Sequence, residues 1–475
     1  MRRGSAREPR EDDIGQPGAP IEDPLLRVLP AGPNTEPALD DLQKKRTGAG
    51  DEAKSRGPAG WLRVLGPGLV TGASDDDPSG IGTYSQVGSQ FGYGLLWTAL
   101  FTFPLMAAVQ ELCARIALHT GVGLTTSLRR RFPSWLVGVC VLALFVANTI
   151  NAGADLGAVA AGGSMLTRGA VRELWLVVPV ALLILGLQLF LSYAAIFKIF
   201  KWLTVALFGY IVCGILVHPD LRQVVVASVI PHIEPTKEFI AAIVAIFGTT
   251  ISPYLFFWQA SSEVDEMRAA GQLSEEQRRG VQTSQLHAAR ADILIGMFFS
   301  NAVMYSIIVT TAAVLHAHGK TDVQTADQAA QALAPLAGQW SFILFALGLI
   351  GTGLLAVPIL TGSASYAVKD FFGLKGGLGD KPAYRPTFYG IIALATIAGV
   401  AINLVGVNPI RALYVTAIIN GVVAPPLLVL IIILGSSRQV MGPRTSGALS
   451  KSLTWIAAGV MGVAAIALVV TLLAP

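Results

Sequence analysis

From residue 62 onward the chain alternates long apolar runs with short stretches of Gly, Pro and charged residues. The runs are close to the ~20 residues that cross about 30 Å of hydrocarbon as a helix. Eleven are legible, at about 62–89, 92–117, 133–162, 173–192, 195–217, 237–266, 287–316, 337–364, 386–405, 410–435 and 452–473. They predict an all-α polytopic membrane protein whose transporter domain covers 59–475. Two runs carry their own helix breakers. The first contains TGASDDDPSGI at 71–81, and the sixth contains GTTISPY at 248–254. Pro78 and Pro253 each remove a backbone donor and disfavour helix at the residue before. Five spans separate the breaks, so the two halves would face the membrane in opposite senses, the pattern of an inverted repeat with its binding site near the bilayer midplane.

Composition agrees with a membrane domain. Hydrophobic residues make up 53% and charged residues 13% of the 475, where a soluble globular chain carries about 25% charge. The mean hydropathy is +0.60. The net charge of +4 is modest and gives no reason to expect a nucleic-acid partner. The apolar contexts of Cys113, Cys140 and Cys213 read as small packing residues. No GxxxxGK[ST] phosphate loop occurs, which argues against direct ATP drive, and no resident cofactor is expected.

Residues 1–58 are rich in Pro, Gly and charge, with too little apolar periodicity to offset the entropy of ordering, and are expected to form a disordered cytosolic tail. Its start, MRRGSAREPRED, lacks the apolar centre of a cleaved signal peptide. With this end in the cytosol, inner loops carry seventeen Lys or Arg and outer loops six. That bias predicts a cytosolic N-terminus and an external C-terminus in the cell membrane.

A broken helix frees carbonyl oxygens at one end and N–H groups at the next start, and these must be satisfied. A carboxylate among freed carbonyls makes a site for a hard cation, and an ionisable residue inside a span is a functional candidate by default. Asp77, directly before the proline, is the main expected charge contributor; the alternative is a cap on the second half-helix. Asp75 and Asp76 point elsewhere at about 100° per residue, toward a vestibule or the surroundings of the site. Thr249 and Ser252 share a helix face before Pro253. They offer oxygen, unless they bond back to the preceding turn. Oxygen-only ligation suits Mg²⁺, with Ca²⁺ or Mn²⁺ also accommodated.

These residues resemble the Nramp divalent-metal transporters over essentially the whole chain after the tail. The likeness rests on GPG at 66–68, Asp77-Pro78, FGYGLL from Phe91, QELCARIALHTG at 110–121 and TTISPY in the sixth span. It implies a LeuT-like fold: a 5+5 inverted repeat plus an eleventh helix, with spans 1 and 6 broken. It also implies a metal site at Asp77, Gly80, Thr249 and Ser252. Asp76, Ser79, Tyr254, Gln259, Asp155 and Asn420 would line the pathway or surround the site. Four departures stand out. Gly80 replaces the family's metal-binding Asn, and Thr249 and Ser252 replace its Ala and Met. Tyr254 and Gln259 stand at its histidines. Asp155 keeps the first residue of its Asp-x-x-Glu proton route, while Ala158 replaces the Glu. This combination looks like the magnesium-transporting branch, whose wider site takes a partly hydrated ion with weak or no proton coupling. Pro358 in the eighth span, absent from typical members, is expected to act as a hinge or gate.

The competing expectations are a proton-coupled Mn²⁺ or Fe²⁺ importer and a LeuT-type symporter of a small organic solute. An enzyme, an intramembrane aspartyl protease built on Asp77 and Asp155, is the reading from another class. It lacks the Gly-x-Gly-Asp and Tyr-Asp contexts such enzymes show.

Overall fold

The computed structural model describes residues 67–190 and 208–473. The expected 1–58 tail and the start of the fifth span lie outside them. The spanning helices are α1 (Pro67–Asp75), α2 (Pro78–Phe91), α3 (Trp97–Thr120), α4 (Ser134–Leu166), α5 (Glu173–Phe190), α6 (Phe208–Leu216), α7 (Lys237–Thr250), α8 (Pro253–Ala269), α9 (Thr283–Val314), α10 (Ser341–Phe372), α11 (Pro386–Leu404), α12 (Pro409–Ser436) and α13 (Ala448–Leu473). Among the described residues, every regular element is helical. There, nine stretches are long and apolar enough to cross a membrane, with α7 and α8 counted as one. The broken α1–α2 and the described part of the fifth span add to these nine.

Helix ends follow local chemistry. At α9 a reciprocal box closes the start: Gln282 N–H donates to Gln285 Oε1 at 2.9 Å. Asn408 caps α12 by accepting from Arg411 N–H at 3.1 Å, with Pro409 at the first helical position. The same proline rule acts inside two spans. Pro78 and Pro253 each begin the second half of a broken span, so the chain stops being helical at 76–77 and 251–252. Pro358 breaks nothing visible: α10 runs through it.

α10 lies along α4, α9 along α1 and α2, and α7 along α12. Small residues permit these approaches. A Cβ added at Gly248 in α7 would sit 2.0 Å from the carbonyl oxygen of Ala417 in α12. One added at Gly72 in α1 would sit 2.3 Å from Gly296 of α9. The periphery is apolar: Trp135, Leu142, Trp175, Leu182, Ile397 and Val463 are exposed, as a lipid-facing surface requires. Cys113, Cys140 and Cys213 are buried, unpaired thiols.

Candidate functional site

The two breaks lie side by side at the centre of the bundle. Asp77 has extended backbone (φ −65°, ψ 169°) and is the N-cap of α2. Its Oδ1 accepts from the Ser79 hydroxyl at 2.7 Å and from Gly80 N–H at 2.8 Å. Its Oδ2 accepts from Asn151 Nδ2 of α4 and from the Tyr254 hydroxyl of α8, both at 3.3 Å. The Tyr254 hydroxyl also lies 2.9 Å from the Ser74 carbonyl, which the break leaves without its helical donor. One phenol therefore joins both half-helices of the first span to the second half of the sixth.

Thr249 reaches this cluster through its hydroxyl, 3.4 Å from that of Ser79. Gly80 faces the same gap: a Cβ there would lie 3.3 Å from the Asp75 carbonyl and 3.4 Å from Thr249 Oγ1. Ser252 donates back to the carbonyls of Gly248 (2.8 Å) and Thr249 (2.7 Å), which leaves its oxygen an acceptor. Asp77, Ser79, Thr249, Ser252 and Tyr254 are each at most 1% exposed, so the site is closed to both sides. A cavity of about 370 Å³ lined by Gln86, Asp322 and Asn408 lies toward one end. Another of about 270 Å³, lined by Asp265, Arg278 and Lys369, lies toward the other.

The other expected residues divide. Gln259 is buried and linked into a chain: the Thr71 hydroxyl donates to its Oε1 at 2.6 Å, and its Nε2 donates to Glu263 at 2.9 Å. Asp155 is fully buried beside the Ser79 amide, yet neither carboxylate oxygen has a hydrogen bond of acceptable geometry. Asn420 is buried with both amide atoms unpartnered. Asp75 and Asp76 turn toward Ser300 of α9, whose hydroxyl is 2.6 Å from Asp75 Oδ2 and 3.4 Å from Asp76 Oδ1. Both are buried, so they line no open vestibule in this conformation. Sequence reasoning missed Asn151 and Ser300. Asn151 had a legible signal, an amide one helical turn before Asp155 in an apolar span; Ser300 had none.

A family profile described as "Natural resistance-associated macrophage protein-like" (Nramp) matches residues 68–471. The "Divalent metal cation transporter MntH" of Klebsiella pneumoniae strain 342 is 25% identical over 398 residues, 80% of this chain and 87% of that protein. A MntH from Pectobacterium carotovorum is 23% identical over 404 residues, 81% and 89% of the two chains. Among solved structures, the Eremococcus coleocola manganese transporter superposes with a TM-score of 0.67 at 18% identity, covering 86% of this chain and 87% of that one. Mhp1, a nucleobase-cation-symport-1 family transporter, superposes with a TM-score of 0.53 at 14% identity, covering 86% and 90%. The paired breaks and this shared LeuT-like architecture agree with the profile: the chain is a multi-pass membrane protein and belongs to the Nramp family.

Proposed function

We propose that this Nramp-family chain transports divalent metal cations, with Mg²⁺ preferred and Mn²⁺ also carried. The ion moves partly hydrated, by alternating access, with weak or no proton coupling. The observation that carries the reading is Asp77: a buried carboxylate at a helix break, hydrogen-bonded by the hydroxyls of Ser79 and Tyr254, with the Thr249 hydroxyl 3.4 Å from that of Ser79. Oxygen donors and one carboxylate suit a hard cation. Among the described residues no three His, Cys, Asp or Glu side chains converge on a metal position. An ion at Asp77 therefore keeps several of its waters, which Mg²⁺ does readily. Gly80 and the serine at 252, in place of the Asn and Met of typical members, leave room for them.

The relatives' names, a divalent metal cation transporter and a manganese transporter, support the ion class. They also favour the second reading, a proton-coupled Mn²⁺ importer. Against it stand Tyr254 and Gln259, neither of which titrates near neutral pH, at the positions of the family's histidines. We infer a cytosolic N-terminus and an external C-terminus from the Lys and Arg bias.

Reconstituted into liposomes, the protein should take up Mg²⁺ saturably and independently of a pH gradient, and Asp77→Ala should abolish that flux. Acidification of the lumen in step with Mn²⁺ entry, with no Mg²⁺ flux, would establish the second reading instead.

A further inference from the structure

Asn148, Asn151 and Asp155 stand at i, i+3 and i+7 of α4 and so share one face over about 10 Å of helix. All three are at most 1% exposed. Asn148 Nδ2 donates to the Leu360 carbonyl at 3.2 Å and Asn151 Nδ2 to Asp77 Oδ2 at 3.3 Å. Because both partners are acceptors, each amide must present its NH₂ to them and its carbonyl oxygen to the other side. Those carbonyl oxygens, Asn148 Oδ1 and Asn151 Oδ1, have no partner, and the Asp155 oxygens, though beside the Ser79 amide, have no hydrogen bond of acceptable geometry.

Buried polar atoms of this kind call for a ligand, and here their chemistry is uniform: all four are acceptors. A cation that keeps its water shell presents only O–H donors outward. An organic solute with mixed donors and acceptors fits the row poorly. Asp155 also brings a carboxyl that an adjoining cation would hold ionised, offsetting the ion's charge.

We propose that Asn148, Asn151 and Asp155 form a second station for a hydrated divalent cation, held through the hydrogens of the ion's own water shell. The station adjoins Asp77 through Asn151, so an ion passes between the two by exchanging waters for the Asp77 carboxylate. This rests on the cation-transport reading above and adds to it a place where waters are carried. The affected property is selectivity. An ion that dehydrates reluctantly, such as Mg²⁺, depends on the row more than Mn²⁺ does.

Uptake of Mg²⁺ and Mn²⁺ into proteoliposomes by Asp155→Asn and Asn148→Leu tests this. The KM for Mg²⁺ should rise roughly tenfold and that for Mn²⁺ less than about threefold. Cobalt(III) hexaammine, whose ammonia ligands do not exchange and offer only N–H donors, supplies a measurement on the unmodified protein. It should inhibit wild-type uptake competitively and inhibit both variants at least about tenfold more weakly. Unchanged KM values in both variants, equal losses for both ions, or a wild type insensitive to the hexaammine overturn the station. A wild type that moves neither ion removes the transport reading instead.

Discussion

The two helix breaks are built on the same plan and finished differently. In each, a proline opens the second half-helix and the residue before it is the N-cap in extended backbone. At the first break that cap is Asp77, whose carboxylate takes Ser79 and Gly80 from its own chain and Asn151 and Tyr254 from two other helices. At the second the cap is Ser252, which makes no cap bond and turns its proton back onto Gly248 and Thr249. The backbone geometry belongs to the repeat; the charge belongs to one half. The proposed cation site is thus lopsided on its pseudosymmetric frame: one break supplies the carboxyl, and the other supplies neutral oxygens and packing.

That contrast can be broken at its strongest point. Asp77→Ala should reduce metal uptake roughly 100-fold or more, the scale of removing a buried charged partner. Ser252→Ala, the matching change in the other half, should cost less than about tenfold, because its hydroxyl already satisfies its own helix. Comparable losses at both positions would mean the halves share the ion equally.

Packing at the second break gives the next effect. Gly248→Val forces a Cβ to within 2.0 Å of the Ala417 carbonyl. Backbone cannot yield there cheaply, so stability should fall by about 2–3 kcal/mol. The thermal midpoint in detergent measures this.

At the first break the space beside Gly80 is tight but passable, with its nearest approaches at 3.3 Å. Gly80→Asn should therefore fold, supply an amide oxygen beside Asp77, and shift the Mg²⁺-to-Mn²⁺ uptake ratio toward Mn²⁺ by roughly tenfold. Competition between the two ions reads it.

The smallest effect lies away from the breaks. Arg130 meets Glu275 through two bonds of 2.8 Å, and with Arg279 it holds that carboxyl at about 2, below its ordinary 4.5. The folded pKa lies below the unfolded one, so the contribution is complete above about pH 4.5 and is lost as pH falls toward about 2. The pair is largely exposed, so Glu275→Gln should cost less than about 1 kcal/mol. The gap from wild type in a denaturant titration should close in acid.

Much of the architecture was legible because lipid makes helices read as apolar runs and prolines read as breaks. Pro78 and Pro253 stand at the helix starts, and the ninth span, expected at 386–405, is Pro386–Leu404. The eighth span was read too short, to 364, whereas α10 continues to Phe372. Its last turns carry Ser363, Ser365 and Lys369, which lower hydropathy yet lie inside the bundle. Ser363 and Ser365 donate to the carbonyls of Tyr254 and Phe388, both at 2.7 Å. Of the site, the residues adjoining the prolines could be named, since a break localises them. Asn151 and Ser300 could not be placed, because which face of a distant helix meets Asp77 or Asp75 is a fact of packing. For Asp75 and Asp76, helical rotation pointed to a vestibule or the surroundings of the site, but their partner Ser300 on α9 was likewise a matter of packing.

The proposed alternating access includes an empty return, and the donors around Asp77 bear on it. The carboxylate is answered by two hydroxyls, a backbone amide and a side-chain amide. A bare charge in low dielectric would have to pick up a proton before the return. With these donors already in place, the Asp77 carboxyl keeps hydrogen-bond partners through that crossing.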